Sequence, residues 1–443
     1  MDAANAFNQL LARDEGLALA QAEWLDAEFR RRGLSFGGEP MRTFLRPHFI
    51  ERAAWERLRA DGHRLLEIAA RTARRAFRGD ASRLLAWLGT PEAHSRWVRL
   101  DPGEPDVVLS RLDAFLTPEG PRFIEVNSDA PAGFGYGDRM AEVVAQLRVF
   151  REFAEHTPVS YQASGPRLVE ALVHSWIEHG GSGFPVIAIV DWADVKTRAD
   201  QEILRDAFEA RGFESFLADP RDSAMLGGEL FVSGRRVDIV YRRAVLSELV
   251  EREADVRVFL EAYRDGAAFF VNSLRCHLSE DKAFLALLTD EAFAALLSEE
   301  ERHFVTSVVP WTRRVEERHT QKGGALVDLV PFILANRESL VLKPSHGYGG
   351  RAVFVGDETE PASWEAAIRA ALGSAWIVQE RVTIPEEPFP VFDGGVLRFE
   401  SLKVNANPFY VAGAEVGAVT RASRSSVINV SAGGGSVPTF VIG

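Results

Sequence analysis

Cysteine is almost missing from this 443-residue chain: Cys276 stands alone. One thiol excludes an intramolecular disulfide and any cysteine-built zinc cluster, so a reduced cytoplasmic compartment is expected. Lysine is nearly as scarce. Of 51 basic residues only Lys196, Lys282, Lys322, Lys343 and Lys403 are lysine. Compositional bias explains the low total. A chain that replaces lysine wherever it can still retains it where a compact ammonium must reach a phosphate, and Lys282 and Lys343 are the candidates. Long apolar runs are absent too. None approaches the ~18 residues of a membrane span. The opening MDAANAFNQLLARDEG has neither a basic n-region nor an apolar h-region, so no signal peptide is expected. Positive charge is also in deficit: a net charge of -13 leaves no basic stripe to replace the counterions of a nucleic acid, although local phosphate pockets stay open.

What is present reads as an ordinary soluble globular composition, 46% apolar and 26% charged, with two or three domains' worth of core. Residues 1–98 read as helical: from Phe49 to Phe77, apolar residues recur at three- and four-residue spacing between arginines. Residues 99–160 begin with a hairpin, an apolar strand through Arg111-Leu112-Asp113, a turn at Thr117-Pro118-Glu119-Gly120-Pro121, and a second strand Phe123–Asn127. Glu125 and Asn127 are two apart, so on a strand they share a face, with Asp113 within cross-strand reach. Two carboxylates and an amide oxygen are hard donors suited to Mg2+ that also holds substrate phosphates; solvated strand acids are the bland alternative. The glycine-containing loop from Ser128 to Asp138 leads to a helix expected from Arg139 to Phe153, and fits either an anion-binding loop or a plain strand-to-helix turn.

From 165 to 272 the pattern is strand, helix, strand: Pro185–Val190, Thr197–Arg211 closed by Gly212, Phe213–Leu217, then Arg236–Tyr241. That order predicts a parallel sheet with ligands at its carboxyl ends, where Arg242 and Arg243 are either anion ligands or surface arginines. Ser279 is a plausible N-cap that puts Lys282 in the first turn of a helix, a position an anion would stabilise. Leu340–Pro344 is a strand ending near Lys343. His346, Gly347, Tyr348, Gly349 and Gly350 form a glycine turn, and Ala352–Gly356 returns. This is neither a Walker motif nor a Rossmann fingerprint, but its backbone amides can close over phosphates. Trp376–Val382 is a further strand in which Gln379 and Glu380 can pair with an adenine edge. The C-terminal part reads as strands Leu397–Val404, Phe409–Ala412, Gly417–Arg421, Val427–Val430 and Thr439–Ile442. Gly433-Gly434-Gly435 interrupts the last two, and Arg421 ends its strand, facing either phosphate or solvent.

Together these segments resemble the circularly permuted ATP-grasp family, as in the synthetase domain of glutathionylspermidine synthase. Arg111-x-Asp113 with Glu125-x-Asn127 matches the metal-binding part, Lys282 the first phosphate lysine, and Lys343 with Gly347–Gly350 the second lysine and lid. Gln379, Glu380 and Val382 match the adenine hinge, and Arg421 the C-terminal strand arginine. The metal hairpin precedes the lysines, as the permuted form requires. The resemblance implies an α/β (α+β) fold: a helical region at 1–98, a permuted metal-binding part at 99–160, a pre-ATP-grasp-like substrate subdomain at 165–272, and lysine, lid, hinge and C-terminal strands at 273–443. It further implies ATP and Mg2+ as cofactors, metal ligands Asp113, Glu125 and Asn127, Arg111 as the catalytic residue, and His346 among the nucleotide contacts. The implied activity is ATP-dependent ligation of a small-molecule or short-peptide carboxylate to an amine, with a non-catalytic nucleotide binder or a phosphotransferase as rivals. No nucleic-acid or membrane partner is expected. Neither substrate follows from the resemblance: neither the length nor a suitable cysteine for that synthase's amidase domain is expected here, and the helical N-terminus and Arg242-Arg243 do not fix an acceptor.

Overall fold

The computed structural model describes residues 2–347, 352–412, 416–428 and 434–443. The fold is mixed α/β, built around three sheets. The largest has the order His48–Glu51, Gly435–Ile442, Ala418–Ser423, Val396–Val411, Leu109–Thr117, Gly120–Asn127. All its neighbours are antiparallel except the first pair, which is parallel. One face is closed by the 26-residue helix Arg52–Phe77. Its buried Trp55, Leu58, Leu65, Ile68 and Ala69 fall on one helical stripe and share a core with Phe123, Val126 and Tyr410 of the sheet. The Tyr410 hydroxyl donates to the carbonyl of Leu58, locking helix to sheet over a long chain separation.

The second sheet is fully parallel, in the order Phe269–Val271, Ile239–Arg242, Ile187–Val190, Ser215–Ala218. Its central strand Ile187–Val190 is buried at every residue, as expected where helices cover both faces. The third sheet is antiparallel, in the order Thr312–Arg314, Trp376–Glu380, Leu340–Pro344, Phe354–Val355. Helices Leu329–Ala335 and Pro361–Ala371 cover it with Leu329, Ile333, Trp364 and Ile368.

Several local expectations fail for identifiable reasons. His48–Glu51 is a strand rather than part of the helix that follows, because it pairs in parallel with Thr439–Ile442 at the far end of the chain. The helix expected from Arg139 begins at Phe134, and a separate helix spans Arg148–His156. Gly135 and Gly137 therefore lie inside a helix. A Cβ at Gly135 would stand 2.5 Å from the carbonyl oxygen of Asp200, so glycine lets two helices approach rather than loosening a loop. Asp200 also caps this helix from outside, accepting from the amides of Gly133 and Tyr136. Ser279 sits inside the short helix His277–Glu280 instead of capping the next one, and Lys282 is itself the residue before helix Ala283–Thr289. Leu397–Val404 and Phe409–Ala412 are parts of one strand, Val396–Val411. Val427 and Ile428 lie in no strand, and residues 429–433 fall outside the described residues. Among the described residues no helix is long and apolar enough to cross a membrane.

Arg242 and Arg243 are not surface arginines, and neither lines the cavity described below. Arg242 is ion-paired with Asp129 and donates to the carbonyls of Asn272 (3.1 Å) and Ala244 (2.8 Å). Arg243 donates to the carbonyl of Pro131 and lies 3.8 Å from Asp200. Both are buried, and they tie the parallel sheet to the loop that follows the hairpin.

Candidate active site

The hairpin sets the chemistry of one wall. In its register Arg111 faces Asn127 and Asp113 faces Glu125, with an irregularity just beyond Asp113 that shifts the pairing to Ala114–Phe123. Four polar side chains are thereby gathered at one end of a two-stranded ribbon. Arg111 Nε donates to Asp113 Oδ1 at 2.8 Å and its Nη1 to the carbonyl of Ala132 at 3.0 Å. The Asn127 amide donates to Asp113 Oδ1 (3.0 Å) and to the carbonyl of Arg111 (3.3 Å), so its amide oxygen is the end left for another partner. Arg421, two strands away, reaches Asp113 Oδ2 at 3.3 Å.

The third sheet supplies the facing wall. Lys343 projects from Leu340–Pro344 and its Nζ donates to Gln379 Oε1 at 2.9 Å. Gln379 in turn donates to Thr312 Oγ1 at 3.0 Å, so three adjacent strands fix the ammonium. Lys282 bridges the walls: its Nζ lies 3.1 Å from Glu125 Oε1 and donates to the carbonyl of Gly347 at 2.7 Å. Gly347 has φ 112°, a backbone conformation only glycine adopts readily.

These groups line one cavity of about 300 Å3, which contains Arg111, Asp113, Glu125, Asn127, Lys282, Lys343, Gly347, Gln379, Glu380, Val382 and Arg421. Burial would raise the Asp113 carboxyl, but the guanidinium groups of Arg111 and Arg421 outweigh it and hold the group below its ordinary value. Arg421 is pushed down to about 10, by burial first and then by repulsion from Arg111. Burial pushes Lys343 down to about 8. Lys282 moves the other way, because Glu125 and Glu280 overcome its burial. The cavity thus holds one readily discharged ammonium and one firmly charged one.

Three expected contacts differ. The Gln379 side chain is taken up by Lys343 and Thr312 rather than left to read an adenine edge. Glu380 is paired with Lys322 at 2.8 Å, and its amide donates to the carbonyl of Trp311. His346 is not part of the cavity lining; its Nδ1 lies 2.8 Å from Asp281 Oδ2. Tyr348, Gly349 and Gly350 lie outside the described residues.

The cavity also contains residues that sequence reasoning passed over. Asn405 stands opposite Arg421 in register, and Phe36, Met41, Tyr136 and Thr197 form a wall contributed by the N-terminal region and by the segments around the parallel sheet. No local motif marks them, because they come from four separate stretches. The scarcity of lysine could have flagged two more. Lys322 pairs with the cavity residue Glu380, and Lys403 donates to the hydroxyl of the cavity residue Ser426 at 2.5 Å.

The oxygen donors of Asp113, Glu125 and Asn127 suit a hard divalent cation: two carboxylates and an amide oxygen within one hairpin end, beside ammonium and guanidinium groups that suit phosphate.

The fold and the site together describe a mixed α/β protein with a cleft between sheets that gathers two lysines, two arginines and two carboxylates. Comparison with known proteins is consistent with that class. A glutathione synthetase-like effector from Globodera pallida, in its apo form, superposes with a TM-score of 0.61, covering 97% of this chain and 98% of that one at 12% identity, which shows a shared fold. A structure from Methylobacillus flagellatus, described as a candidate gamma-glutamylcysteine synthetase, aligns over 81% of this chain and 82% of that one, with a TM-score of 0.42 and 10% identity. In sequence, a Frankia alni protein named as a candidate glutamate–cysteine ligase 2-3 is 29% identical over 220 residues, which is 47% of this chain and 24% of that protein. The match thus spans about a quarter of the curated relative's length. No family model matches the chain.

Proposed function

We propose that the protein is an ATP-dependent carboxylate–amine ligase on a circularly permuted ATP-grasp fold. One observation carries the reading: ammonium groups from residues 282 and 343 and oxygen donors from residues 113, 125 and 127 line a single cavity, with Arg111 and Arg421 both held at Asp113. The order of the chain, carboxylate hairpin before lysine strands, fits the permuted form.

In this reading the β- and γ-phosphates lie among Lys282, Lys343 and Arg421. The nucleobase lies against the strand end at Gln379–Val382, where backbone rather than the Gln379 side chain makes the contact. Asp113, Glu125 and Asn127 would hold Mg2+, which when bound neutralises phosphate charge. The substrate carboxylate oxygen attacks the γ-phosphorus, the bridging P–O bond breaks, and ADP leaves. The acyl phosphate so formed is attacked at its carbonyl carbon by an amine, which gives up a proton as phosphate departs and an amide remains. Joining two anions needs dense positive charge, which the two lysines and two arginines provide. Arg111, held by Asp113 and the Ala132 carbonyl, is placed to stabilise the oxyanion of the second step. The loop beginning at Gly347 would exclude water from the acyl phosphate. The Frankia alni relative, named as a candidate glutamate–cysteine ligase, supports amide formation as the reaction class. Residues 99–160 and 273–443 then form the catalytic core, with 1–98 and 165–272 framing the acceptor side through Phe36, Met41 and Thr197.

The test is mass spectrometry of reactions supplied with ATP, Mg2+ and pooled amino acids, short peptides and polyamines. The expected product is lighter than its two summed substrates by one water, with equimolar ADP. ATP binding with no ADP across all pools would instead identify a nucleotide binder. ADP with a phosphorylated product and no amide would identify a phosphotransferase.

A further inference from the structure

Behind the Lys282 wall lies a second cluster that the proposed reaction does not use. His277, Asp281 and His346 each offer one ligand atom, and these atoms all lie within 4.8 Å of one another. Two of the three are buried and His346 is partly covered. Asp281 Oδ2 and both ring nitrogens of His346 are shielded from solvent, and Oδ2 faces Nδ1 as an ion pair. We propose that this cluster is a divalent zinc-type site that ties the start of the glycine loop to the segment carrying Lys282.

The scaffold holds the three residues in place. His277 opens the helix His277–Glu280 and Asp281 follows its end, four residues on, so both project toward the same side. His346 follows the strand Leu340–Pro344 from the third sheet. The Lys282 amide donates to the carbonyl of Ser345 at 3.1 Å, which clamps the two segments together at the cluster. Asp281 uses Oδ1 to accept from the amide of Ala283 at 2.7 Å, so Oδ2 is the oxygen that faces the histidines, 2.8 Å from His346 Nδ1. The two imidazoles are 5.3 Å apart between centroids. Two rings bound through nitrogen to one tetrahedral ion at roughly 2.0–2.1 Å stand about this far apart. Two imidazoles and one carboxylate, with a fourth position for water, suit zinc-type ions rather than Mg2+, which prefers oxygen throughout. His94 stacks beyond His277 at 6.3 Å and lies outside the cluster. The alternative is a histidine–aspartate ion pair with no metal, in which His277 has no part.

The full-length protein, stripped with chelator and held in excess Mg2+ to occupy oxygen-only sites, is titrated with zinc by calorimetry, and with cobalt followed by visible absorption. One saturable equivalent is expected, weakened at least about tenfold in His346→Gln and in His277→Ala, and unchanged in the control His174→Ala on an exposed helix face. X-ray absorption of the wild-type zinc complex supplies a readout that does not depend on variants folding, and should show two imidazoles on the ion. No saturable equivalent in wild type, equal affinity in His346→Gln, or a zinc shell without imidazole would each overturn the site and leave the ion pair.

Discussion

Arg242 and Arg421 each lie in a strand beside a carboxylate, and the two environments differ in what they leave unsatisfied. Arg242 has Asp129 and the carbonyls of Asn272 and Ala244, with the sulfur of Cys276 at 3.2 Å. Burial opposes its charge, yet Asp129 more than restores it and the group is raised above its ordinary value. Arg421 has one carboxylate, Asp113, shared with Arg111, and its charge is destabilised. A saturated guanidinium is structural. One that competes for an inadequate share of negative charge is, in the reading proposed above, the one that would meet an incoming anion, and that contrast separates the core of the parallel sheet from the cavity.

Four outcomes test the contrast, from the largest expected effect to the smallest. Asp113→Ala or Glu125→Ala should abolish Mg-dependent ADP release, read by a coupled ADP assay; an unchanged rate in both removes the metal assignment. Arg242→Met leaves Asp129 buried without its partner and should cost about 3–5 kcal/mol in denaturant unfolding. Arg111→Met should lower the amide-forming rate about 10²–10³-fold while the unfolding midpoint moves far less than in Arg242→Met, which kinetics and denaturation check side by side. Lys343 gives the fourth test. Because its pKa is depressed to about 8, the ammonium is charged below that pH and neutral above it. ATP affinity of the free protein should therefore hold steady up to pH 8 and then fall, by up to about tenfold per pH unit, in calorimetric titrations. Lys343→Met should flatten that decline. The Lys282 charge, raised by Glu125, should contribute no break in the same window.

The hairpin Leu109–Asn127 and the strand bearing Lys343 were legible in sequence because each is a local pattern: apolar residues, turn residues, then polar groups at spacing two. The sharing of one cavity by Arg111, Asp113, Glu125, Lys282, Lys343 and Arg421 could be anticipated only through the family resemblance, since no spacing links residue 113 to residue 421. What escaped reading was set by distant partners. His48–Glu51 is a strand because residues 439–442 lie beside it, and the helix containing Gly135 starts early because Asp200 caps it from outside. The Gln379 side chain escaped likewise: its amide is engaged by Lys343 and Thr312 from neighbouring strands, which a motif cannot display.

The shortage of lysine has a practical consequence. Of the five ammonium side chains, Lys282 and Lys343 are buried, Lys322 and Lys403 are half-covered and engaged, and only Lys196 is exposed. Its stem packs beside Gly37, next in sequence to the cavity residue Thr197. Amine-reactive labelling at a pH above the α-amine's range should therefore mark Lys196 ahead of the other four lysines, the N-terminal amine apart.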